Sequence, residues 1–257
     1  MTPLYILKIG GSVATHKNRL GISVRRFLLK KIALSIKSAK EKKSFNLILL
    51  HGAGAAGHQL AKKYGLENGA KNNENKWYGA LLSRLANQKL NAAITEIFIF
   101  QGLRVTPIHT ASVILQKNKK IIRCDTTVIK EALRQKCFPL LYGEMVFDAA
   151  LGMSICSGDA IAPYLAKKLS AQKIFFASDI DGIYTKDPYI NKNAKLIMET
   201  TLGDISRDVQ LSKSHNVDVT DGLLGKMGEF QTFWGTRLKT VEIFNGLREK
   251  NYKKILL

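Results

Sequence analysis

Two short apolar runs, each closing on glycines and separated by one helical pattern, constrain this chain more than anything else in it. Leu4 to Ile9 leads into Gly10, Gly11 and Ser12, and Phe45 to Leu50 leads into His51, Gly52, Gly54 and Gly57. Between them, Val24 to Lys43 carries an apolar stripe at helical spacing: Val24, Leu28, Ile32, Ile36 and Ala39. Two parallel strands need a crossover, and a helix between two apolar strands supplies it. The pattern therefore predicts an α/β fold with a parallel sheet. In open sheets of this kind the ligand crevice lies beyond the carboxyl ends of the strands. Both glycine turns would then sit side by side at one edge.

The second turn, HGAGAAGH from His51 to His58, joins a strand to a helical pattern that opens at Leu60, Ala61 and Tyr64. Strand, glycine turn and helix start together aim backbone N–H groups at an anion. The pattern G-x-x-x-x-G-K-[ST] fails, because His58 stands where its lysine would be. Gly52, Gly54 and Gly57 do meet G-x-G-x-x-G. That dinucleotide pattern also needs an acid at the end of the next strand. Lys71 to Lys76, KNNENK, is polar and follows no strand, which weighs against a dinucleotide. An anion site is the preferred reading, and this stretch alone leaves open a tight turn without a ligand.

The rest of the chain continues the α/β alternation. Leu66 to Trp77 reads as a mobile loop, and Leu85 to Gln101 as a helix with Leu90, Ile94, Ile97 and Phe98 inward. Val105 to Ile108 and Lys120 to Arg123 read as strands, and Thr127 to Lys136 as a helix. A strand over Phe138 to Val146 and a hairpin at Met153 to Ile155 follow, then a helix over Ala160 to Leu169. Lys173 to Ala177 is another buried-type strand, followed by the turn-rich SDIDGIYTKDP, Ser178 to Pro188. DVTDGLLGK, Asp218 to Lys226, leads into a helix to Phe233. Thr240 to Phe244 and Lys253 to Leu257 are expected to close the sheet.

Bulk properties narrow the function classes. At 46% hydrophobic residues the 257-residue chain has a core to bury and is not of the disordered class. No apolar run reaches bilayer length, so no membrane span is expected. The opening MTPLYILKIGGS reads as a strand, not a signal peptide. Cys124, Cys137 and Cys156 are odd in number and lack C-x-x-C spacing, which fits a reducing, cytoplasmic setting without a zinc site. The net charge of +20 raises nucleic-acid binding as a possibility. Yet no helix-turn-helix, zinc-finger or RNP signature is present, and no aromatics interleave with the basic run Arg25, Arg26, Lys30, Lys37, Lys40 and Lys42. A solvated basic helix face is preferred, and nucleic acid is not expected as a partner.

Five stretches in order carry a resemblance: KIGGSVATHK (Lys8 to Lys17), HGAGAAGH, SGD (Ser157 to Asp159), SDIDGIYTKDP and DVTDGLLGK. Through them the chain resembles the amino-acid-kinase superfamily over nearly its whole length. Within it the likeness is to the branch that phosphorylates isopentenyl phosphate, through Lys17, His58 and the DVT before the second lysine loop; fosfomycin kinases are close relatives. The resemblance implies a three-layer αβα sandwich with a central, mostly parallel sheet. It implies one domain over 1–257, with an acceptor lobe over 1–170 and a nucleotide lobe over 171–257. It also implies ATP with Mg²⁺, no resident metal, a small-molecule phosphate acceptor and a homodimer.

The resemblance assigns roles residue by residue. Lys8 contacts the transferring phosphoryl group, with Gly10, Gly11 and Ser12 as its turn, and Lys17 is a second transition-state lysine. Ala53 and Gly54 present N–H groups to acceptor phosphate and ATP respectively. His58 binds the acceptor phosphate, Gly158 contacts the acceptor, and Asp159 orders the lysines. Asp179, Tyr184, Lys186 and Asp187 line the nucleotide loop, and Lys226 with Gly222 meets the ATP phosphates. Departures from the family pattern are Ala53, Ala55 and Ala56 in a loop that usually reads HGGGSFGH, Asp221 in place of glycine, and Glu144 in place of aspartate. A phosphomonoester acceptor has a second pKa of about 6, so its oxygen is largely ionised near neutrality and no general base is required. Lysines and glycine-turn amides supply the alignment and charge that phosphoryl transfer asks of a protein. Two alternatives remain: another small acid or phosphonate such as fosfomycin as acceptor, or a catalytically inactive nucleic-acid binder on the same fold.

Overall fold

The computed structural model describes residues 2–16, 19, 21–186, 188, 190–201, 204 and 240–256. Its centre is a six-stranded sheet built from β1 (Leu4–Ile9), β2 (Asn46–His51), β3 (Val105–Pro107), β6 (Phe138–Tyr142), β9 (Lys173–Ser178) and β12 (Thr240–Asn245). The order is β12-β9-β1-β2-β6-β3, and every neighbouring pair runs parallel. Lys8 lies opposite Leu50 on one side and Phe176 on the other, so the expected turns do end at one edge. Side chains alternate between two apolar layers, as burial on both faces requires. Leu7, Ile9, Leu47 and Leu49 pack with α2 (Arg26–Lys42), α4 (Glu74–Phe100) and the helix Glu249–Leu256. Ile6, Ile48 and Leu50 pack with α6 (Thr127–Arg134) and α7 (Gly158–Leu169). The result is a three-layer αβα arrangement.

A four-stranded sheet stands apart, in the order β5-β4-β7-β8, from β4 (Ile114–Lys117), β5 (Lys120–Cys124), β7 (Glu144–Asp148) and β8 (Gly152–Cys156). The expected single strand Phe138 to Val146 thus breaks at Gly143 into β6 and β7, which belong to different sheets. Gly143 donates its N–H to the His51 carbonyl at 2.9 Å, after which the chain leaves the main sheet. A short hairpin, β10 (Ile183–Tyr184) with β11 (Leu196–Ile197), follows β9.

Several elements differ from the sequence expectation. The buried stripe of α2 is Leu29, Ile32, Ala33, Ile36 and Ala39; Val24 precedes the helix and bridges to Thr15. The helix α3 (Gly54–Lys63) begins inside the glycine run, not at Leu60. The expected loop Leu66 to Trp77 holds a 3-10 turn, Leu66–Asn68, and the first turn of α4. Asn73 caps α4 by accepting from Lys76 N–H at 2.9 Å, and Trp77 packs with Leu66, Met145 and Met153, so helix formation starts eleven residues early. The strand expected over Lys253 to Leu257 is replaced by the helix Glu249–Leu256, and Leu257 lies outside the described residues. Buried Tyr252 turns edge-on to Phe244 at 5.0 Å and donates to the Gly246 carbonyl at 3.2 Å, pinning the helix on the sheet. Among the described residues no helix is long and apolar enough to cross a membrane.

Candidate active site

The turns after β1 and β2 press backbone against backbone. Gly10 N–H donates to the Ala177 carbonyl at 2.8 Å, and Gly52 N–H to the Ile9 carbonyl at 3.0 Å. A Cβ on Gly11 would stand 2.9 Å from Gly54 N, closer than real Cβ contacts allow. Gly54 has φ +68°, and a Cβ there would meet Leu90 at 2.8 Å and Thr15 at 2.9 Å. Only glycine satisfies both demands. Ala53, by contrast, has φ −59°, an ordinary value for an L residue, so its departure from the family glycine is accommodated. Thr15 ties the two turns together: its Oγ1 donates to the Gly11 carbonyl at 2.8 Å and accepts from Ala55 N–H at 3.1 Å.

Charge enters this edge from β1 and α7. Lys8 is 8% exposed, and its Nζ lies 2.9 Å from Asp159 Oδ1. Ser157 caps α7 by accepting from Ala160 N–H at 3.1 Å, which places Asp159 in the first turn, where a carboxylate is favoured by the helix dipole. Gly158 lies beside them: a Cβ on it would be in ordinary contact, 3.4 Å from the His51 carbonyl and 3.5 Å from Lys8 Cε. One short region thus gathers Lys8, Gly10, Gly11, Ala53, Gly54, Gly158 and Asp159 from three distant stretches of sequence. A lysine held by a carboxylate beside two glycine turns packed backbone to backbone is suited to binding a phosphoryl group.

The remaining candidates fall elsewhere or outside the description. Ser12 is half-buried in the turn after Gly11. His58 is exposed and is the fifth residue of α3, one turn into the helix and not at its mouth. Asp179 follows β9 and accepts from Ser178 Oγ at 3.4 Å. Tyr184 lies in β10, its hydroxyl pKa pushed up by burial and by Asp181, and Lys186 is exposed. Asp181 itself pairs with Arg248 at 3.0 Å. Lys17, Asp187, Gly222 and Lys226 lie outside the described residues, as does the helix expected after Lys226. Among the described residues no group of three or more His, Cys, Asp or Glu could hold a metal ion.

Sequence reasoning passed over a buried polar layer beneath the turns. His51 is fully buried, with Nδ1 2.8 Å from the Gly52 carbonyl and Nε2 3.1 Å from Asn91 Nδ2. Tyr142 stacks on it at 5.1 Å and 8°, and the Tyr142 hydroxyl meets His109 Nδ1 at 2.5 Å. Glu144 is buried, accepting from Ala111 N–H at 2.9 Å and Arg84 Nε at 3.3 Å; burial raises its pKa against the pull of those donors. The available signal was the spacing of Asn87 and Asn91, polar residues one turn apart on the inward side of α4 with Leu90 and Ile94.

The profile of the amino acid kinase family matches residues 3–229. The isopentenyl phosphate kinase of Methanocaldococcus jannaschii is 34% identical over 260 residues, covering 99% of this chain and 95% of that one. The enzyme of the same name from Methanothermobacter thermautotrophicus is 28% identical, again over 99% and 95%. Among solved structures, an isopentenyl phosphate kinase superimposes with a TM-score of 0.84 at 26% identity, over 98% of this chain and 95% of that one.

Proposed function

As a member of the amino acid kinase family the chain is a small-molecule kinase, and we propose that it transfers the γ-phosphoryl group of ATP to isopentenyl phosphate, giving isopentenyl diphosphate. The observation that carries the reading is the Lys8–Asp159 pair at 2.9 Å, set against the two interlocked glycine turns. The full-length likeness to relatives named for this acceptor supports the choice of substrate.

In this reading the turns bind and align, and no residue of the chain has to remove a proton. The acceptor oxygen is already ionised near neutral pH, since a phosphomonoester has its second pKa at about 6. Lys8 places a cation beside the transferring group, and Asp159 holds its ammonium in place. The N–H groups of Ala53 and Gly54, at the start of α3, face the acceptor and donor phosphates. His58 donates to the acceptor phosphate from the same helix, a charge-assisted bond. Gly158 gives the acceptor a close approach beside Lys8. Ser12 with Gly10 and Gly11, the loop residues Asp179, Tyr184, Lys186 and Asp187, and Gly222 with Lys226 bind the nucleotide, and Lys17 assists Lys8. Mg²⁺ bound with ATP would offset the charge of the donor phosphates. We further infer a homodimer in the cytoplasm. The exposed apolar row Tyr78, Leu81 and Leu85 on α4 supports the first, and three free cysteines support the second.

The experiment is an ATP-consumption assay of the purified chain against isopentenyl phosphate, fosfomycin, other small phosphates and amino acids, with products identified by ³¹P NMR. Diphosphate formation from isopentenyl phosphate well above every other acceptor is expected. Preference for fosfomycin or for a carboxylate would replace the acceptor. Absence of turnover, together with steeply salt-dependent nucleic-acid binding, would replace the reading altogether.

A further inference from the structure

We propose that His51 is a positioning residue for the acceptor cradle, acting with Asn91 to fix the Gly52 carbonyl and so turn the Ala53 N–H into the crevice; the proposal rests on the kinase reading above. A glycine turn lets two backbones touch, but glycine also leaves its peptide planes free to rotate. Gly52 is needed for contact, since a Cβ on it would lie 2.7 Å from Gly11 N. Something else must therefore hold the Gly52–Ala53 peptide.

His51 has the position and chemistry to do so. It is the last residue of β2 and shares the sheet face of Leu47 and Leu49, which pack with Leu90 and Ile94 of α4. Asn91 stands between those two on the helix. A carbonyl oxygen can only accept, so the 2.8 Å contact to Gly52 requires the hydrogen on Nδ1. Nε2 then carries a lone pair, and Asn91 Nδ2 donates to it at 3.1 Å. Each polar atom of the ring has a partner, and the network assigns one tautomer. Burial lowers the imidazole pKa to about 4, which keeps the ring uncharged near neutrality. Tyr142, stacked nearly parallel at 8°, stops the ring from turning.

The consequence follows from peptide geometry. In a trans peptide the C=O and the following N–H point in opposite directions. With the Gly52 carbonyl drawn toward the ring, the Ala53 N–H points away from it. His51, Asn91 and Tyr142 are all buried, so the role is one of orientation.

Two measurements test this in the intact chain. The first is ¹⁵N NMR of the His51 ring near neutral pH. A neutral ring with hydrogen on Nδ1 is expected; a charged ring, or hydrogen on Nε2, overturns the proposal whatever the enzyme's substrate. The second compares wild type with His51→Phe, which retains the stack but loses the donor, and with Asn91→Leu, which leaves Nε2 unpaired. For folded His51→Phe, kcat/KM for isopentenyl phosphate should fall about 10²-fold, the scale of an ångström-level misalignment, with KM for ATP changed far less. Asn91→Leu should show a smaller loss of the same kind and carries the test should His51→Phe fail to fold. Inorganic phosphate affinity supplies a readout that needs no turnover: it should weaken in both variants. Wild-type acceptor kinetics and phosphate affinity in a folded variant would overturn the proposal. If wild type turns over no phosphate acceptor, the kinase reading fails, and the tautomer together with the phosphate affinities still decides the role of His51.

Discussion

The glycine turns after β1 and β2 and the loop after β9 stand at the same edge of the same sheet, yet they are held in opposite ways. The turns are fastened from inside: Thr15 bridges them, His51 grips the Gly52 carbonyl, and Lys8 meets Asp159 with side chains only 11% and 25% exposed. The loop after β9 is fastened from outside. Its described ties include Ser178 to Asp179 at 3.4 Å and the pair Arg248–Asp181, whose side chains are 57% and 33% exposed. Polar contacts in a dry setting are strong and costly to leave unmade, whereas exposed pairs are screened and worth little. The first region is built to be rigid before a ligand arrives. The second, tied by exposed contacts, can adjust, as the nucleotide-binding role proposed for it above would require.

This contrast breaks most decisively at Lys8. Lys8→Ala should lower kcat by roughly 10³-fold, the scale of losing one preorganised electrostatic contact to the transition state. Circular dichroism and a melting curve establish that the variant is folded, and near-normal turnover in it would refute the placement of Lys8 beside the transferring group. Lys226→Ala should show a loss of the same order if Lys226 completes the donor side.

Glycine replacement separates the two regions by stability. Gly54→Ala forces a side chain onto φ +68° and into Leu90 and Thr15, and should destabilise by about 2–3 kcal/mol while also lowering activity. Gly182→Ala, in the loop, has no positive φ and meets mainly the end of Leu196 at 3.0 Å, so its cost should stay below about 1 kcal/mol. Equal midpoints in urea titrations of the two variants would remove the distinction.

His58 sharpens the comparison within the rigid region, because it is exposed on a helix whose start is locked. His58→Ala should raise KM for isopentenyl phosphate roughly 10- to 100-fold, the worth of a hydrogen bond to a charged group, and leave ATP affinity nearly unchanged. His58→Gln retains a donor and should recover part of the loss. Equal losses toward both substrates would take His58 out of the acceptor site. The smallest effect belongs to the loop: Arg248→Ala should cost no more than about 1 kcal/mol, shrinking further in high salt. A larger loss would mean that the loop is fastened as firmly as the turns.

Much of the frame was legible because it is written locally. Largely apolar runs marked β1, β2 and β9, with Lys8 standing out within β1, since a strand buried on both faces needs no polar alternation, and paired glycines marked where two of them end. The helix read over Ala160 to Leu169 fell two residues short of its start, because the cap at Ser157 brings Gly158 and Asp159 into its first turn. Less was legible where local preference is ambiguous. The start of α4 depends on Asn73 as a cap and on Trp77 finding Met145 and Met153 far along the chain. Glu249–Leu256 is short enough to read as strand or helix, and Tyr252 against Phe244 settled it.

What the sequence determined by itself is therefore the set of parts: apolar strands, turns that require glycine, a crossover helix and the family to which they belong. Local φ/ψ limits and side-chain periodicity govern these, and both are properties of neighbours in the chain. Only the tertiary structure decided which parts meet. Lys8 faces Asp159, Gly11 faces Gly54, and His51 faces Asn91 because parallel strands set distant residues in register at one edge and pack helices across them. No local rule contains those distances, since each depends on how the intervening chain crosses over the sheet.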